Sequence, residues 1–324
     1  MKITLLPDNM TYYRANLHCH CTVSDGWKTP EEVKAFYMAH GYSIVAYTDH
    51  EKFVPHNELT DENFLALNAY EVGVSPDWVD WHIRKTCHIC LIAPDPDRID
   101  PVPETGDRVY TGEWVSDFMK RARDEGFYVT YNHPTWSLES YPEYINYHNM
   151  HAMEIVNFGC VIVGWDDDNG HCYEDMLRGG ERIFCIATDD NHNNMPDDSP
   201  NCDSFGGYTM IASPSLEYGA VIDALKQGMF YASSGTSTHV GPQIHGLTFE
   251  DGVVTIKTSE VRDIFYMTDS RSCSLTRAKE GETIHEASFN VRDDEKWFRL
   301  VVVDREGYKA YTNAYFPDTF KSEK

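Results

Sequence analysis

Apolar and polar positions alternate along the chain in a way that predicts short strands and amphipathic helices. Thr29, Pro30 and Glu32 have the spacing of a capping box with proline at the first helical position, so a helix is predicted to begin there and to end at Gly41. The apolar run that follows, residues 43–47, predicts a strand. Together with the opening strand, which precedes Thr29, this gives a strand, a helix and a strand in succession, and polar residues follow each strand.

The same alternation continues over the first two thirds of the chain. Two more helices are predicted, one from near Thr111 to Gly126 and one from about Tyr218 to Gly228. Further strands are predicted at residues 64–70, 87–93, 127–131, 152–156, 182–187 and 208–212. Strands alternating with helices predict an α/β fold with a parallel sheet and right-handed crossovers. Because His, Asp and Glu recur at strand ends, we favour a closed (β/α) barrel, whose strand ends meet on one face.

The pattern changes near Ser237. No long helical stripe follows, and short alternating segments are separated by Asp-Gly, Asp-Ser and Glu-Gly turns. Strands are predicted at residues 253–258, 263–267, 288–291, 298–303 and 309–312. We therefore predict two domains, a barrel over residues 1–237 and a small all-β, sandwich-like domain over residues 238–324.

Composition limits the classes of partner. The 324 residues carry a formal net charge of -25, which opposes binding to the phosphates of nucleic acids and to anionic membrane surfaces. No run of 18 apolar residues could span a bilayer, and Pro7 and Asp8 interrupt the N-terminus before an apolar signal core forms. Nine cysteines without a repeated spacing fit reduced thiols. We expect a cytoplasmic protein that binds neither nucleic acid nor membrane, and the oligomeric state stays open.

The candidate chemistry begins with His18 and His20. On a strand, side chains two residues apart share a face, so two imidazoles could point at one place while Cys19 points away and packs. Such a pair alone is explained equally well by packing, so its partners decide. Nine groups at or near strand ends are candidate metal ligands: His18, His20, Asp25, His50, Glu71, His88, His133, Asp190 and His192. They are too many for one tetrahedral ion and suit two or three divalent ions that share a carboxylate; Mn, Fe and Zn fit equally.

These residues belong to an ordered set of short motifs: His18-Cys19-His20, Ser24-Asp25-Gly26, Thr48-Asp49-His50, Glu71, His88, Asn132-His133-Pro134 and Asp189-Asp190-Asn191-His192. Over residues 12–237 their order and approximate spacing resemble the PHP (polymerase and histidinol phosphatase) superfamily. Residues 224–235 and the β tail resemble a branch that includes carbaryl-hydrolase-like members.

The resemblance implies a distorted seven-stranded (β/α) barrel that holds up to three divalent ions. The implied ligands of the first ion are His18, His20, Glu71 and Asp190. The second ion would share Glu71 and add His88 and His133, and the third would take Asp25, His50 and His192.

Several other polar residues have two possible roles each. Asp49 could orient a neighbouring ligand or form a turn, and Arg84 with Lys85 could bind a phosphate or be an exposed basic pair. Glu154 and Asn157 could face the substrate or line the polar mouth of the barrel. Asp189 is an alternative ligand, but the Asp-x-His spacing favours Asp190.

Three functions are compatible with this sequence. The first, implied by the resemblance, is a phosphoesterase that hydrolyses a small phosphorylated metabolite, a phosphomonoester or cyclic phosphodiester, by attack of a hydroxide bridging the ions. The second is a carboxylic ester, carbamate or amide hydrolase that uses the same metal site. The third is a non-enzymatic metal-binding or sensory protein whose β tail contacts a partner.

Overall fold

The computed structural model describes residues 2–76, 79–104, 106–165 and 169–320. Within them, the helices are Pro30–Ala39 (α1), Gly112–Asp124 (α2), Tyr141–Tyr144 (α3), Phe158–Ile162 (α4), Gly170–Gly179 (α5) and Tyr218–Gln227 (α6). The strands are Lys2–Leu6 (β1), Thr11–Asn16 (β2), Ile44–Tyr47 (β3), Leu65–Val74 (β4), Cys87–Ile92 (β5), Tyr128–Tyr131 (β6), Ala152–Asn157 (β7), Phe184–Thr188 (β8), Gly207–Ser213 (β9), Phe230–Ser234 (β10), Ile244–Glu250 (β11), Val253–Val261 (β12), Asp263–Thr268 (β13), Ser274–Arg277 (β14), Ile284–Asn290 (β15), Phe298–Val303 (β16) and Lys309–Thr312 (β17). Short 3-10 turns span Asn57–Leu59, Trp81–Ile83 and Pro317–Thr319.

Local sequence signals account for the helix boundaries. The predicted capping box of α1 is confirmed, because the Thr29 side chain accepts from the Glu32 backbone and Glu32 accepts from the Thr29 backbone. Thr111 caps α2 by accepting from the Trp114 N–H. Gly228 ends α6 at φ +70°, a left-handed conformation that glycine adopts without strain. These three predicted helices are therefore confirmed.

Most strands belong to one mixed sheet, in the order β14-β13-β16-β17-β10-β9-β2-β3-β4-β5-β6-β7-β8. The runs β2-β3-β4 and β6-β7-β8 are parallel, as predicted. The expectation of a wholly parallel sheet is wrong, because β5 is antiparallel to both of its neighbours and β9 is antiparallel to β2. The described part of the connection from β4 to β5 holds only the 3-10 turn Trp81–Ile83, whereas parallel neighbours usually need a helical crossover.

The two ends of the seven-strand run from β2 to β8 approach each other beyond the strand termini. The His20 N–H donates to the Asn191 carbonyl at 3.0 Å, and the Asp190 N–H donates to the His18 carbonyl at 2.9 Å. Cys19 and Asn191 form an isolated parallel bridge. Within the described residues no continuous ladder joins β8 to β2, so the fold shown is a mixed α/β fold with a large sheet.

A second sheet, in the order β1-β11-β12-β15, packs on the far part of the large sheet. Leu6, Ile256 and Phe298 belong to the apolar core between the two sheets. β1 comes from the N-terminus, and β10 pairs with β17, so strand pairing crosses the predicted boundary at residues 237 and 238. The domain division stays a prediction. None of the helices in the described ranges is long and apolar enough to cross a membrane.

Candidate metal centre

The predicted ligands reach one region because of where they lie on the sheet. His18 and His20 follow the end of β2, on the segment that is bonded to residues 190 and 191. His50 follows β3 and bridges to Glu71, which lies within β4 rather than at its end. His88 is the second residue of β5; because β5 is antiparallel, its first residues lie beside the carboxyl ends of its neighbours.

Four of the side chains form a tight group. The Nε2 atoms of His18 and His20 are 3.1 Å apart, and they lie 3.2 and 3.1 Å from Asp190 Oδ1. The same two atoms lie 3.3 and 3.4 Å from the carboxylate oxygens of Glu71. Donor atoms bound to one tetrahedral ion at about 2.0–2.1 Å are roughly 3.3 Å apart. The spacing of this group therefore fits one divalent ion.

Glu71 also joins this group to the remaining histidines. His88 Nδ1 is 2.9 Å and His133 Nε2 is 3.3 Å from Oε1, and His50 Nδ1 is 2.8 Å from Oε2. Including His18 and His20, Glu71 lies within 3.4 Å of five imidazoles. A carboxylate in this position is suited to bridge cations.

A further group lies at the exposed side of the cluster. Asp25 Oδ2 is 3.5 Å from His192 Nε2 and 3.8 Å from His50 Nε2, and donor atoms of these three residues and of His20 lie within 4.8 Å of one another. Asp25 is about half exposed. All nine predicted side chains thus belong to one connected cluster, and their roles as ligands stay a prediction.

Buried atoms that lack a well-formed hydrogen bond indicate that the cluster fits metal ions. His20 Nδ1 is buried and makes no hydrogen bond, and Glu71 Oε2 and His88 Nδ1 are buried with ion-pair contacts whose geometry is not that of a hydrogen bond. Buried polar atoms without partners are rare in native proteins and call for a bound ion or water. Imidazole and carboxylate donors in these numbers suit Mn, Fe and Zn ions.

Opposite charges stabilise the cluster electrostatically. Burial alone raises the pKa of Glu71, but His88, His18 and His50 hold that pKa well below its usual value. Burial also raises the pKa of Asp190, and His18 and His20 lower it well below its usual value. Burial lowers the pKa of His20 to about 4, so this imidazole is neutral and one ring nitrogen keeps a free lone pair. Burial also opposes the protonation of His18, His50 and His133, but the nearby carboxylates raise the pKa of each above its usual value. A cation that binds here would meet two ionised carboxylates and one neutral imidazole, and it would displace protons from the other histidines.

Glu154 makes hydrogen bonds that hold the predicted ligands His18 and His133 in place, a role that was not assigned from the sequence. It is fully buried, and its Oε1 is 2.7 Å from His18 Nδ1, which leaves Nε2 of His18 directed at the other ligands. Glu154 also accepts from the His133 N–H and from Asn157 Nδ2, which in turn donates to Asp190. A carboxylate bound to the second nitrogen of a ligand histidine fixes its tautomer and orientation. The signal in the sequence was a single charged residue within an apolar strand.

In the described part of the chain, three other candidates have no side-chain hydrogen bond or ion pair with the nine predicted ligands. Asp189 accepts from the N–H groups of residues 205, 206 and 207 and from the Tyr37 hydroxyl, and burial raises its pKa to about 7. Lys85 pairs with Glu143 at 2.6 Å, and Arg84 follows the turn Trp81–Ile83. Among the described residues, no hydrogen bond or ion pair joins Arg84 or Lys85 to the cluster, and their phosphate-binding role stays a prediction.

The chain is similar to several solved structures at low sequence identity, which bears on the fold alone. No family model matches the chain, and no curated protein matches it either. Among solved structures, a two-domain protein from Bacteroides vulgatus that contains a predicted PHP-like metal-dependent phosphoesterase matches with a TM-score of 0.49 and 14% identity, over 96% of this chain and 98% of that chain.

Two shorter structures match part of the chain. One, assigned as a metal-dependent phosphoesterase from Bifidobacterium adolescentis, has a TM-score of 0.37 and 13% identity, over 58% of this chain and 89% of that chain. The other, an amidohydrolase from Chromobacterium violaceum with bound sulfate and no metal, has a TM-score of 0.35 and 16% identity, over 58% and 93%. All three are hydrolases by name. At such low identity the chemistry of this chain has to be judged from its own side chains.

Two residues beside the cluster also went unrecognised in the sequence. Cys90 lies two positions after His88 on β5, and its sulfur is within 4.8 Å of donor atoms of His18 and Glu71. The Trp136 ring packs against His133 and His88, with centroid distances of 5.1 and 5.7 Å. The i, i+2 spacing of His88 and Cys90 was the available signal for the first.

Proposed function

We propose that this chain is a metal-dependent phosphoesterase that hydrolyses a small phosphorylated metabolite. The observation that carries the proposal is Glu71, a buried carboxylate within 3.4 Å of five imidazoles. When bound, divalent ions would lower the pKa of water and neutralise charge on the substrate oxygens. They would also attract a phosphate to a protein whose net charge is -25.

The side chains of the chain prepare this chemistry. Glu154 keeps Nε2 of His18 directed inwards, and the Ser137 hydroxyl, 3.0 Å from His133 Nδ1, does the same for His133. Trp136 covers one side of His88 and His133 and excludes water there. The half-exposed Asp25 marks the side from which a small substrate can enter.

We further propose that strands β2 to β8 form the distorted seven-stranded barrel implied by the sequence. The backbone hydrogen bonds between residues 18–20 and 190–191 support it, because they join the segments that directly follow the first and last strands of the run, at the level of the predicted ligands. The same bonds bring His18 and His20 next to Asp190, although 170 residues separate His20 from Asp190 in the sequence.

Hydrolysis of a carboxylic ester, carbamate or amide is the second candidate. It is favoured by the surroundings of the cluster, because no hydrogen bond or ion pair in the described ranges brings an Arg or Lys to any of the nine side chains. Phosphate sites usually use such cations for bidentate or point-charge contacts. At this site a phosphate would have to rely on the ions alone.

Purified protein should be assayed with phosphomonoesters, cyclic phosphodiesters and aryl esters after ion removal and after addition of Mn, Fe or Zn. We expect phosphate release that depends on the added ions. We expect His20→Ala to lower the content of bound ions and also the turnover. His245→Ala is the matched control, since His245 is exposed on β11. Ester cleavage without phosphate release would establish the second candidate. Bound ions with no hydrolysis in any arm would contradict both and favour a sensory protein.

A further inference from the structure

A second group of metal-binding side chains lies outside the nine. Cys21, Asp49 and His56 are all buried, and one donor atom of each lies within 4.8 Å of the other two. They come from three separate segments: the loop after His20, the end of β3 and the residue before the 3-10 turn Asn57–Leu59. Sequence analysis gave none of the three a metal-binding role.

The two carboxylate oxygens of Asp49 have different surroundings. Oδ1 accepts from the Cys21 N–H at 3.0 Å, the Ser24 N–H at 2.9 Å and the Ser24 hydroxyl at 2.7 Å. Oδ2 accepts from the Cys21 thiol at 2.9 Å. The first oxygen is therefore saturated by donors that fix the carboxylate, and the second is directed at the thiol.

His56 provides the independent indication of a ligand. The residue is only 6% exposed, and its Nε2 atom is buried with no hydrogen-bond partner. Its Nδ1 atom faces Glu58 at 3.4 Å, which leaves Nε2 for the interior. The Asn68 side chain accepts from the His56 N–H and the Tyr47 ring packs on the imidazole, so the ring is held in place. Packing explains the position of the ring but leaves Nε2 unsatisfied, which is unfavourable in a buried site.

We propose that Cys21, Asp49 and His56 bind one zinc ion at a site separate from the nine-residue cluster. Thiolate, carboxylate and imidazole are the three donor types that zinc accepts, and a water would complete a tetrahedron. Donor atoms around such an ion are about 3.3–3.6 Å apart, so the three side chains need to move by an amount on the order of 1 Å. Zinc binding would satisfy Nε2 of His56, and the ion would replace the proton of the Cys21 thiol as the partner of Asp49 Oδ2.

The site has a structural consequence for the neighbouring cluster. Cys21 directly follows His20, and Asp49 directly precedes His50. An ion bound to both, and to His56 on a third segment, ties together the two loops that present these histidines. We therefore assign this ion a positioning role rather than contact with a substrate.

Cobalt is the probe for this site, because a thiolate bound to Co²⁺ gives a charge-transfer absorption in the near ultraviolet that imidazole and carboxylate ligands do not give. The full chain should be loaded with Co²⁺ under reducing conditions, and bound metal counted per chain. We expect the absorption in the wild type. We expect Cys21→Ser to lose it together with one ion per chain, and His56→Asn to lower both.

Cys90→Ser is the matched control, because the Cys90 sulfur adjoins His18 and Glu71 in the nine-residue cluster instead. This variant should keep the absorption. An absorption that disappears in Cys90→Ser, persists in Cys21→Ser, or is absent from the wild type overturns the proposal. If Cys21→Ser does not fold, His56→Asn decides the question, and an unchanged spectrum and ion count in that variant also overturn it.

Discussion

Glu71 and Asp263 are both fully buried carboxylates, yet they are neutralised by different kinds of neighbour. Asp263, on β13, lies 2.6 Å from Arg277 Nε and 2.9 Å from Arg262 Nε. Glu71, on β4, lies among five imidazoles, and in the described part of the chain no arginine or lysine forms an ion pair with it. The counter-charges of Asp263 are guanidinium groups, whereas those of Glu71 are imidazoles, which are charged only when protonated.

The difference concerns how permanent the positive charge is. A guanidinium is charged at every accessible pH, so the pairs around Asp263 are complete when the chain folds. Imidazoles carry a charge only over part of the pH range, and when neutral they offer lone pairs to a cation. A buried carboxylate ringed by imidazoles is thus suited to exchangeable cations, whereas one held by arginines is suited to stability.

Glu71→Gln should have the largest effect on ion content and activity, because an amide is uncharged and bridges cations poorly. We expect bound ions to fall and kcat/KM to drop by about 100-fold or more, while the thermal midpoint changes little because the apolar cores of the protein lie away from the cluster. Metal analysis measures the bound ions, steady-state kinetics measure kcat/KM, and thermal denaturation measures the midpoint. Full ion content in this variant would place the ions elsewhere, and Asp263→Asn, which should retain them, is the control.

Glu154→Gln should have the next largest effect. The amide accepts more weakly from His18 Nδ1, so His18 loses the partner that fixes its tautomer. We expect a loss of turnover of about 10- to 100-fold with partial loss of ions. Glu181→Gln is a matched control, because Glu181 makes the same 2.7 Å contact with His148 at the surface. If Glu154→Gln lowered turnover and ion content no more than Glu181→Gln does, His18 would not need its buried partner.

Asp263→Asn should instead lower stability with no loss of ions. The substitution weakens two contacts of a buried carboxylate, and Arg262 and Arg277 are about half exposed, so water compensates them in part. We expect the free energy of unfolding to fall by about 1–3 kcal/mol. Urea denaturation measures it. A variant that also lost bound ions would contradict the separation between the two regions.

Sequence reasoning succeeded where the signal was local. The capping box at Thr29 and the alternating strands 298–303 and 309–312 are set by nearby residues, and the structure has them at those positions. Strand β10 is absent from the predicted strands, because its pairing with β9 and β17 depends on residues far along the chain. Strand direction failed at β5 for the same reason.

The site shows the same limit. The nine predicted ligands could be found because they lie in short motifs whose order resembles a known superfamily, and the structure brings all nine together. Glu154 and His56 lie in no such motif. Glu154 contacts His18, 136 positions away, and the proposed role of His56 depends on its closeness to Cys21, 35 positions away; no local pattern reveals either.

A third buried carboxylate, Glu139, has neither arginines nor imidazoles as hydrogen-bond partners among the residues that the structure describes, and it should give the smallest effect. It accepts from the hydroxyls of Tyr110, Tyr131 and Tyr147. Burial raises the pKa of Glu139 from 4.5 to about 7, although these hydroxyls lower it. The folded state therefore binds a proton between pH 4.5 and 7 that the unfolded chain releases.

Stability from this group is fully present below pH 4.5 and is lost as the pH rises through about 7. We expect a loss on the order of 1–3 kcal/mol over that range in the wild type and a flatter profile in Glu139→Gln, which cannot ionise. Denaturation at several pH values, with the two proteins compared at each, removes the contribution of the histidines common to both. Parallel profiles would mean that the tyrosine hydroxyls alone hold Glu139 ionised, as the arginines hold Asp263.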